Sequence, residues 1–96
     1  MLDAYELVIV AAPTLDDEGL QSQIEAVTKR ITQLGGAVDK VDPWGRKSLA
    51  YPIKRFTEGL YVLFNCHLPH EAIANLDRDL RISETIIRHL IVRAGQ

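Results

Sequence analysis

Leu20, Ile24, Val27, Ile31 and Leu34 are separated by 4, 3, 4 and 3 positions, an unbroken apolar stripe at the period of an α-helix. Asp16 stands where an N-cap belongs, and Asp17 and Glu18 follow it into the positive first turn. Lys29 and Arg30 lie toward the negative end, and Gly35-Gly36 supplies a left-handed stop. A helix with a single apolar stripe must lay it on another surface, and the flanking segments read as strands. Tyr5, Leu7, Ile9 and Ala11 alternate along one side while Val8 and Val10 fill the other, so this strand reads as covered on both faces. Pro13 ends it.

Ala37 to Val41 begins a second strand, which Pro43 and Gly45 interrupt with a bulge or sharp bend. Pairing resumes from Lys47 to Ile53. Phe56-Thr-Glu-Gly59 reads as the connecting turn and Leu60 to Leu68 as a third strand, making an antiparallel hairpin. Pro69 suits the first turn of a second helix, with Ile73, Leu76 and Leu80 as its stripe and Ala72 as a small flank. Thr85 to Arg93 reads as the last strand. Its spacing leaves open whether Ile86, Leu90 and Val92 or Ile87 and Ile91 face the helices. The order β-α-β-β-α-β is that of an α+β, ferredoxin-like split βαβ domain covering residues 1–96. Right-handed crossovers would place two helices on one face of a four-stranded antiparallel sheet. The other face is then open, and Val8 and Val10 are exposed on it unless something covers them.

No catalytic residue, metal site or cofactor is expected. Cys66 and His67 are adjacent in a strand and point to opposite faces, so they do not share an ion with His70. Ser22, Ser48 and Ser83 have no nucleophile elbow, and Gly35-Gly36 ends a helix rather than opening one around a phosphate. Asp77 and Asp79 diverge on a helix, His89 has no orienting partner in the sequence, and Arg78 and Arg81 read as solvated surface able to pair with Asp77 or Glu84. The single cysteine excludes an internal disulfide and suits a reducing compartment. No apolar run approaches the ~18 residues of a membrane span, and the opening Met-Leu-Asp-Ala-Tyr-Glu lacks the basic n-region of a signal peptide, so a cytoplasmic location is expected.

Charge is segregated along the chain. The formal net charge is -2, and residues 1–28 hold six acids and no base. Residues 43–57 hold Arg46, Lys47, Lys54 and Arg55 with Trp44, Tyr51 and Phe56 and no acid. Residues 85–96 add Arg88, His89 and Arg93, again without an acid. Cations clustered with aromatics suit a polyanion with stackable bases, and the two basic segments could merge into one patch. The competing reading is a core strand (Leu49, Tyr51, Ile53) with solvated charges. Trp44 suits RNA, a protein partner or packing on the hairpin equally well.

Gly45-Arg-Lys-Ser-Leu-Ala-Tyr-Pro-Ile-Lys-Arg55 resembles the motif Gly-x-Lys/Arg-x-Leu-Ala-Tyr-x-Ile-x-Lys/Arg of the bacterial small-ribosomal-subunit protein S-six family. Tyr5-Glu6, Pro13 with Leu15-Asp16, and Leu80-Arg-Ile with Ile86-Ile-Arg-His-Leu-Ile-Val-Arg93 resemble the same family in order and spacing. The resemblance spans residues 4–93. It implies a non-enzymatic component of the small subunit that binds small-subunit rRNA together with ribosomal protein S-eighteen in cytoplasmic translation, with an organellar ribosome left open. No membrane and no small-molecule substrate are implied, and the protein is expected to be a monomer outside the ribosome. The RNA-contacting set is then Arg46, Lys47, Lys54, Arg55, Arg88 and Arg93. The partner-protein surface is Val8, Val10 and Trp44. Family members often carry a basic residue or two ahead of Tyr-Glu, where this chain has Leu2-Asp3-Ala4, so no N-terminal RNA contact is expected. The rival reading is a dimeric ferredoxin-like (α+β barrel) domain binding a small molecule or catalysing a reaction, with His67 or His89 and Tyr61 as its polar site.

Overall fold

The computed structural model describes residues 2–94. Their elements run β1 (Leu2–Ala11), α1 (Asp17–Gln33), β2 (Ala37–Ile53), β3 (Phe56–Pro69), a single 3₁₀ turn at His70–Ala72, α2 (Ile73–Arg81) and β4 (Ile86–Arg93). The four strands form one sheet in the order β2-β3-β1-β4 with every neighbouring pair antiparallel. The two helices pack on one face of it, the ferredoxin-like arrangement read from the sequence.

Helix α1 has the ends its residues dictate. The Asp16 carboxylate accepts from the Gly19 N–H at 2.7 Å, and the Gly36 N–H donates to the Ile31 carbonyl at 3.0 Å once Gly35 has turned left-handed at φ 90°. This is the six-to-one bond of a glycine-stopped helix. The stripe then buries Ile24, Val27 and Ile31 against Leu7 and Ile9 of β1 and Val62, Phe64 and Leu68 of β3, while α2 contributes Leu76 and Leu80. Cys66 lies in the same layer, 1% exposed. Burial and the Asp39 carboxylate push its thiol up from 9.0 to about 11.

The hairpin turn lies elsewhere than the sequence suggests. Ile53 pairs with Phe56, leaving Lys54 and Arg55 as a two-residue loop with φ of 50° and 74°. Positive φ at both central positions is the type I′ geometry, which matches strand twist and normally draws Asn-Gly. Gly59, the glycine that suggested a turn, sits inside β3 for a different reason. A Cβ there would lie 2.3 Å from Val10 Cγ1 on the neighbouring strand.

Register shifts in β4 and β2 settle what periodicity left open. In β4, Val10 pairs with Arg88 but Ala11 pairs with Ile86, so Ile87 is an extra residue. The phase shifts there, and neither sequence alternative survives intact. Ile86 and Ile91 join the main core, whereas Ile87 goes to the opposite face with Val10 and Ala12. In β2 the register shifts between Val38 and Lys40, between Pro43 and Gly45, and between Ser48 and Ile53. The middle shift is the bend anticipated at Pro43 and Gly45. The last one lets Leu49 and Ile53 curl over the open face onto Val10, Ala12 and Ile87, joined by Phe56 and Tyr61. Val10 is therefore 3% exposed, buried by the chain itself. The expectation that it would stand open as partner surface is corrected on that ground.

Two outcomes are expected. Gly59→Ala forces a methyl into Val10 and should lower stability by about 1–3 kcal/mol in urea unfolding, the usual cost of overpacking; an unmoved midpoint would contradict the close approach. Cys66 ionises in the unfolded chain before it does so in the fold, so its contribution to stability is lost as pH rises from 9.0 toward about 11. Cys66→Ala should flatten that alkaline decline, and an unchanged alkaline limb in pH-dependent unfolding would contradict its burial.

Candidate nucleic-acid interface

Because paired residues in a sheet share a face, the registers divide the open side into rows. One row crosses from Gly45 through Tyr61 and Val10 to Arg88. The bulged Trp44 stacks on Tyr61, ring centroids 6.4 Å apart and planes 14° from parallel. Its Nε1 donates to the Asp42 carboxylate at 3.2 Å, and it stays 44% exposed. At the other end of the row, Arg88 Nη1 donates to the Tyr51 hydroxyl at 3.2 Å and its guanidinium lies 6.0 Å from the Tyr51 ring centroid. The curled hairpin thus brings an aromatic from residues 43–57 onto an arginine from β4. This is the joining of the two basic segments that the sequence could only suggest.

The next row is apolar, running Leu63, Val8 and Leu90 behind Asp42. Leu90 is 56% exposed, Val8 half-buried, and the neighbouring Val92 is exposed too. A shallow hollow of about 270 Å³ opens here, bordered by Val8, Val10, Tyr61, Arg88, His89 and Leu90. The third row, Lys40, Asn65, Glu6 and Val92, returns to polar character.

The six basic candidates do not behave alike. Lys54 and Arg88 line one groove together. Among the described residues, Lys47, Lys54, Arg55 and Arg88 have no carboxylate partner. Arg46 donates to the Glu58 carboxylate at 3.0 Å and to the Pro13 carbonyl at 3.2 Å. Arg93 donates to Asp3 at 3.0 Å and pairs in register with Tyr5, on the helix side of the sheet and five positions from Arg88. At about 3.3 Å per residue it stands roughly 16 Å away. The positive charge left without a counter-ion is concentrated on the hairpin and at the start of β4. Exposed ion pairs contribute only about 0–1 kcal/mol, so Arg46 and Arg93 are partly neutralised rather than locked.

The histidines have partners that sequence spacing hid. His67 Nδ1 meets the Asp39 carboxylate at 2.5 Å on the open side, opposite the buried Cys66. The Tyr5 hydroxyl lies 3.4 Å from His70 Nδ1. His89, which lacked an orienting group in the sequence, has one. Its Nε2 meets Asp77 Oδ1 at 2.7 Å on the helix side, and Asp77 also accepts from Arg81 one turn later. The His89 hydrogen bond, reinforced by Arg81, holds the Asp77 carboxyl below the usual carboxylate range. Asp79 turns away to Arg30 of α1 at 2.5 Å. Tyr61 and His89 border the same hollow, but His67 is absent from its border and the His89 imidazole is committed to Asp77.

Comparison with known proteins places the chain among relatives of one family. The family model described as Ribosomal protein S6 matches residues 4–93. The small ribosomal subunit protein bS6 of Clostridium botulinum strain Hall is 44% identical over 88 residues, covering 92% of this chain and 94% of that protein. The Clostridium acetobutylicum protein of the same name is 43% identical over 91 residues, covering 95% and 96%. The crystal structure of 30S ribosomal protein S6 from Thermotoga maritima superposes with a TM-score of 0.89 at 30% identity, over 97% of this chain and 88% of that one. By these matches over nearly its whole length, the chain belongs to the Ribosomal protein S6 family of the small ribosomal subunit.

Proposed function

We propose that this chain binds small-subunit rRNA together with ribosomal protein S-eighteen, in cytoplasmic ribosomes, by presenting two adjacent surfaces of one rigid sheet and performing no chemistry. The observation that carries the reading is that Lys54 and Arg88 line one groove, Tyr51 meets Arg88 and Trp44 stacks on Tyr61, while Lys47, Lys54, Arg55 and Arg88 have no carboxylate partner among the described residues. Phosphate contacts by these side chains supply affinity without reading sequence. The exposed face of Trp44 offers a stacking surface beside them. The row of Leu63, Val8 and Leu90, with Val92 next to it, is the apolar surface a protein partner would cover.

Strain at the hairpin tip supports the assignment of Lys54 and Arg55. Left-handed backbone costs an ordinary L-residue roughly 1–2 kcal/mol, and sparsely populated conformations persist where function holds them. Long cations at both positions are a poor choice for folding and a good one for reaching a phosphate.

Replacing the tip by the residues its geometry prefers should therefore separate stability from binding. Lys54→Asn with Arg55→Gly is expected to raise stability by about 1 kcal/mol. The same variant should weaken association with a small-subunit rRNA fragment in the presence of the partner. Its log–log salt slope should become shallower by about 0.7–0.9 for each phosphate the tip no longer engages. Wild-type affinity and slope in the double variant would remove these two residues from the interface. For the protein surface, Leu90→Asp should leave the unfolding midpoint within about 0.5 kcal/mol of wild type, as exposed positions generally do. It should reduce partner association at least tenfold in calorimetric titration; undiminished association would place the partner elsewhere.

A further inference from the structure

A groove of about 310 Å³ runs between the C-terminal end of α2 and the tip of the β2–β3 hairpin. Lys54, Arg81, Arg88 and His89 stand around it, over a floor that includes Leu80 and Ile86. Part of that floor is the start of β4, an edge strand, so Arg88 approaches from the open face while Arg81 and His89 approach from the helix side. Three permanent cations from three separate segments therefore border one groove. Asp77 supplies the carboxylate bonded to this group, and it is shared between Arg81 and His89.

We propose that this groove is a phosphodiester-binding site, and that Arg81 exchanges Asp77 for a backbone phosphate when the ligand arrives. The proposal rests on the RNA reading above and adds a contact from α2, on the far side of the β4 edge. The two bonds to Asp77 are unequal. The Arg81 side chain is 70% exposed, so its pair with Asp77 is a surface pair of little net worth. The His89 side chain is only 14% exposed and stays with Asp77 at 2.7 Å. When Arg81 swings away, the carboxylate keeps its His89 hydrogen bond, and no unpaired polar group is created. A guanidinium fork then meets phosphate oxygens bidentately, in a geometry that an ammonium group cannot reproduce. Arg88, oriented by the Tyr51 hydroxyl and ring, and Lys54, held at the tip, approach the same anion from the other wall. Asp77 thus sets how much positive charge the groove offers.

The test uses the full chain with its partner and a small-subunit rRNA fragment, titrated across salt, with urea midpoints recorded for every variant. Arg81→Gln should weaken binding about threefold to tenfold and make the salt slope shallower by about 0.7–0.9. Asp77→Asn should do the reverse, tightening binding about twofold to fivefold by releasing Arg81 from a surface pair. Glu71→Gln, the same change of net charge at the opposite end of α2, controls for long-range attraction and should have a smaller effect. Wild-type affinity and slope in Arg81→Gln, or an Asp77→Asn effect no larger than that of Glu71→Gln, would overturn the proposal. A second arm titrates inorganic phosphate while following the Arg81 Nε resonance. Saturable phosphate shifts without any RNA binding would end the RNA reading and keep the groove as a site for a free anion. Neither RNA binding nor phosphate shifts would end both.

Discussion

Everything distinctive about the open face depends on Val10 and Ile87 being buried by the chain's own hairpin. Leu49, Ile53 and Phe56 close over them, forming an apolar cluster separated from the helix-covered core by the sheet itself. Full burial of such a side chain contributes about 1.5–3 kcal/mol, and Leu49, Ile53 and Phe56, partly buried, each contribute a fraction of it. Together the three fold a β-ribbon back onto Val10, Ala12 and Ile87. Once the ribbon is bent, Tyr51 reaches Arg88 and Lys54 reaches the groove beside it. The convergence of positive charge is a consequence of hydrophobic burial.

The same bend divides labour across the sheet. With one end sealed and lined by Trp44, Tyr61, Tyr51 and Arg88, the middle of the open face keeps Leu90 and Val92 exposed beside the half-buried Leu63 and Val8. A net charge of -2 is then no obstacle to contact with a polyanion. Arg46 is tied to Glu58 and Arg93 to Asp3, whereas the hairpin tip and Arg88 keep their charge. Local field, rather than the sum over the molecule, governs the encounter with an extended anion within a Debye length of about 8–10 Å.

Periodicity alone made the element order and the main core legible. The spacing of Leu20, Ile24, Val27, Ile31 and Leu34 is a statement about one helix face, and three of the five are buried as that face requires. What escaped was every feature set by a neighbour distant in sequence. Gly59 looks like turn punctuation until Val10 is found against it, and Lys54-Arg55 carries none of the residues a type I′ turn favours. The parity of β4 was undecidable because a bulge reverses it between Ile86 and Arg88. The site shows the same limit. Runs of bases are visible in the chain, but the carboxylates that answer Arg46 and Arg93 lie 12 and 90 positions away. Arg81 joined the groove only when α2 and the hairpin tip were seen side by side.

The most direct measurement is of the small cluster itself, in the free protein in solution. With methyl-labelled isoleucine, leucine and valine, cross-relaxation should connect the Ile87 methyls to those of Leu49 and Ile53, and Leu49→Asp should abolish these contacts together with the Tyr51–Arg88 contact while the β1–β3 amide ladder persists. Strong β1–β3 protection with no Ile87 contact to Leu49 or Ile53 in the wild-type chain would mean that the ribbon stands free, and the basic groups would then have no reason to meet.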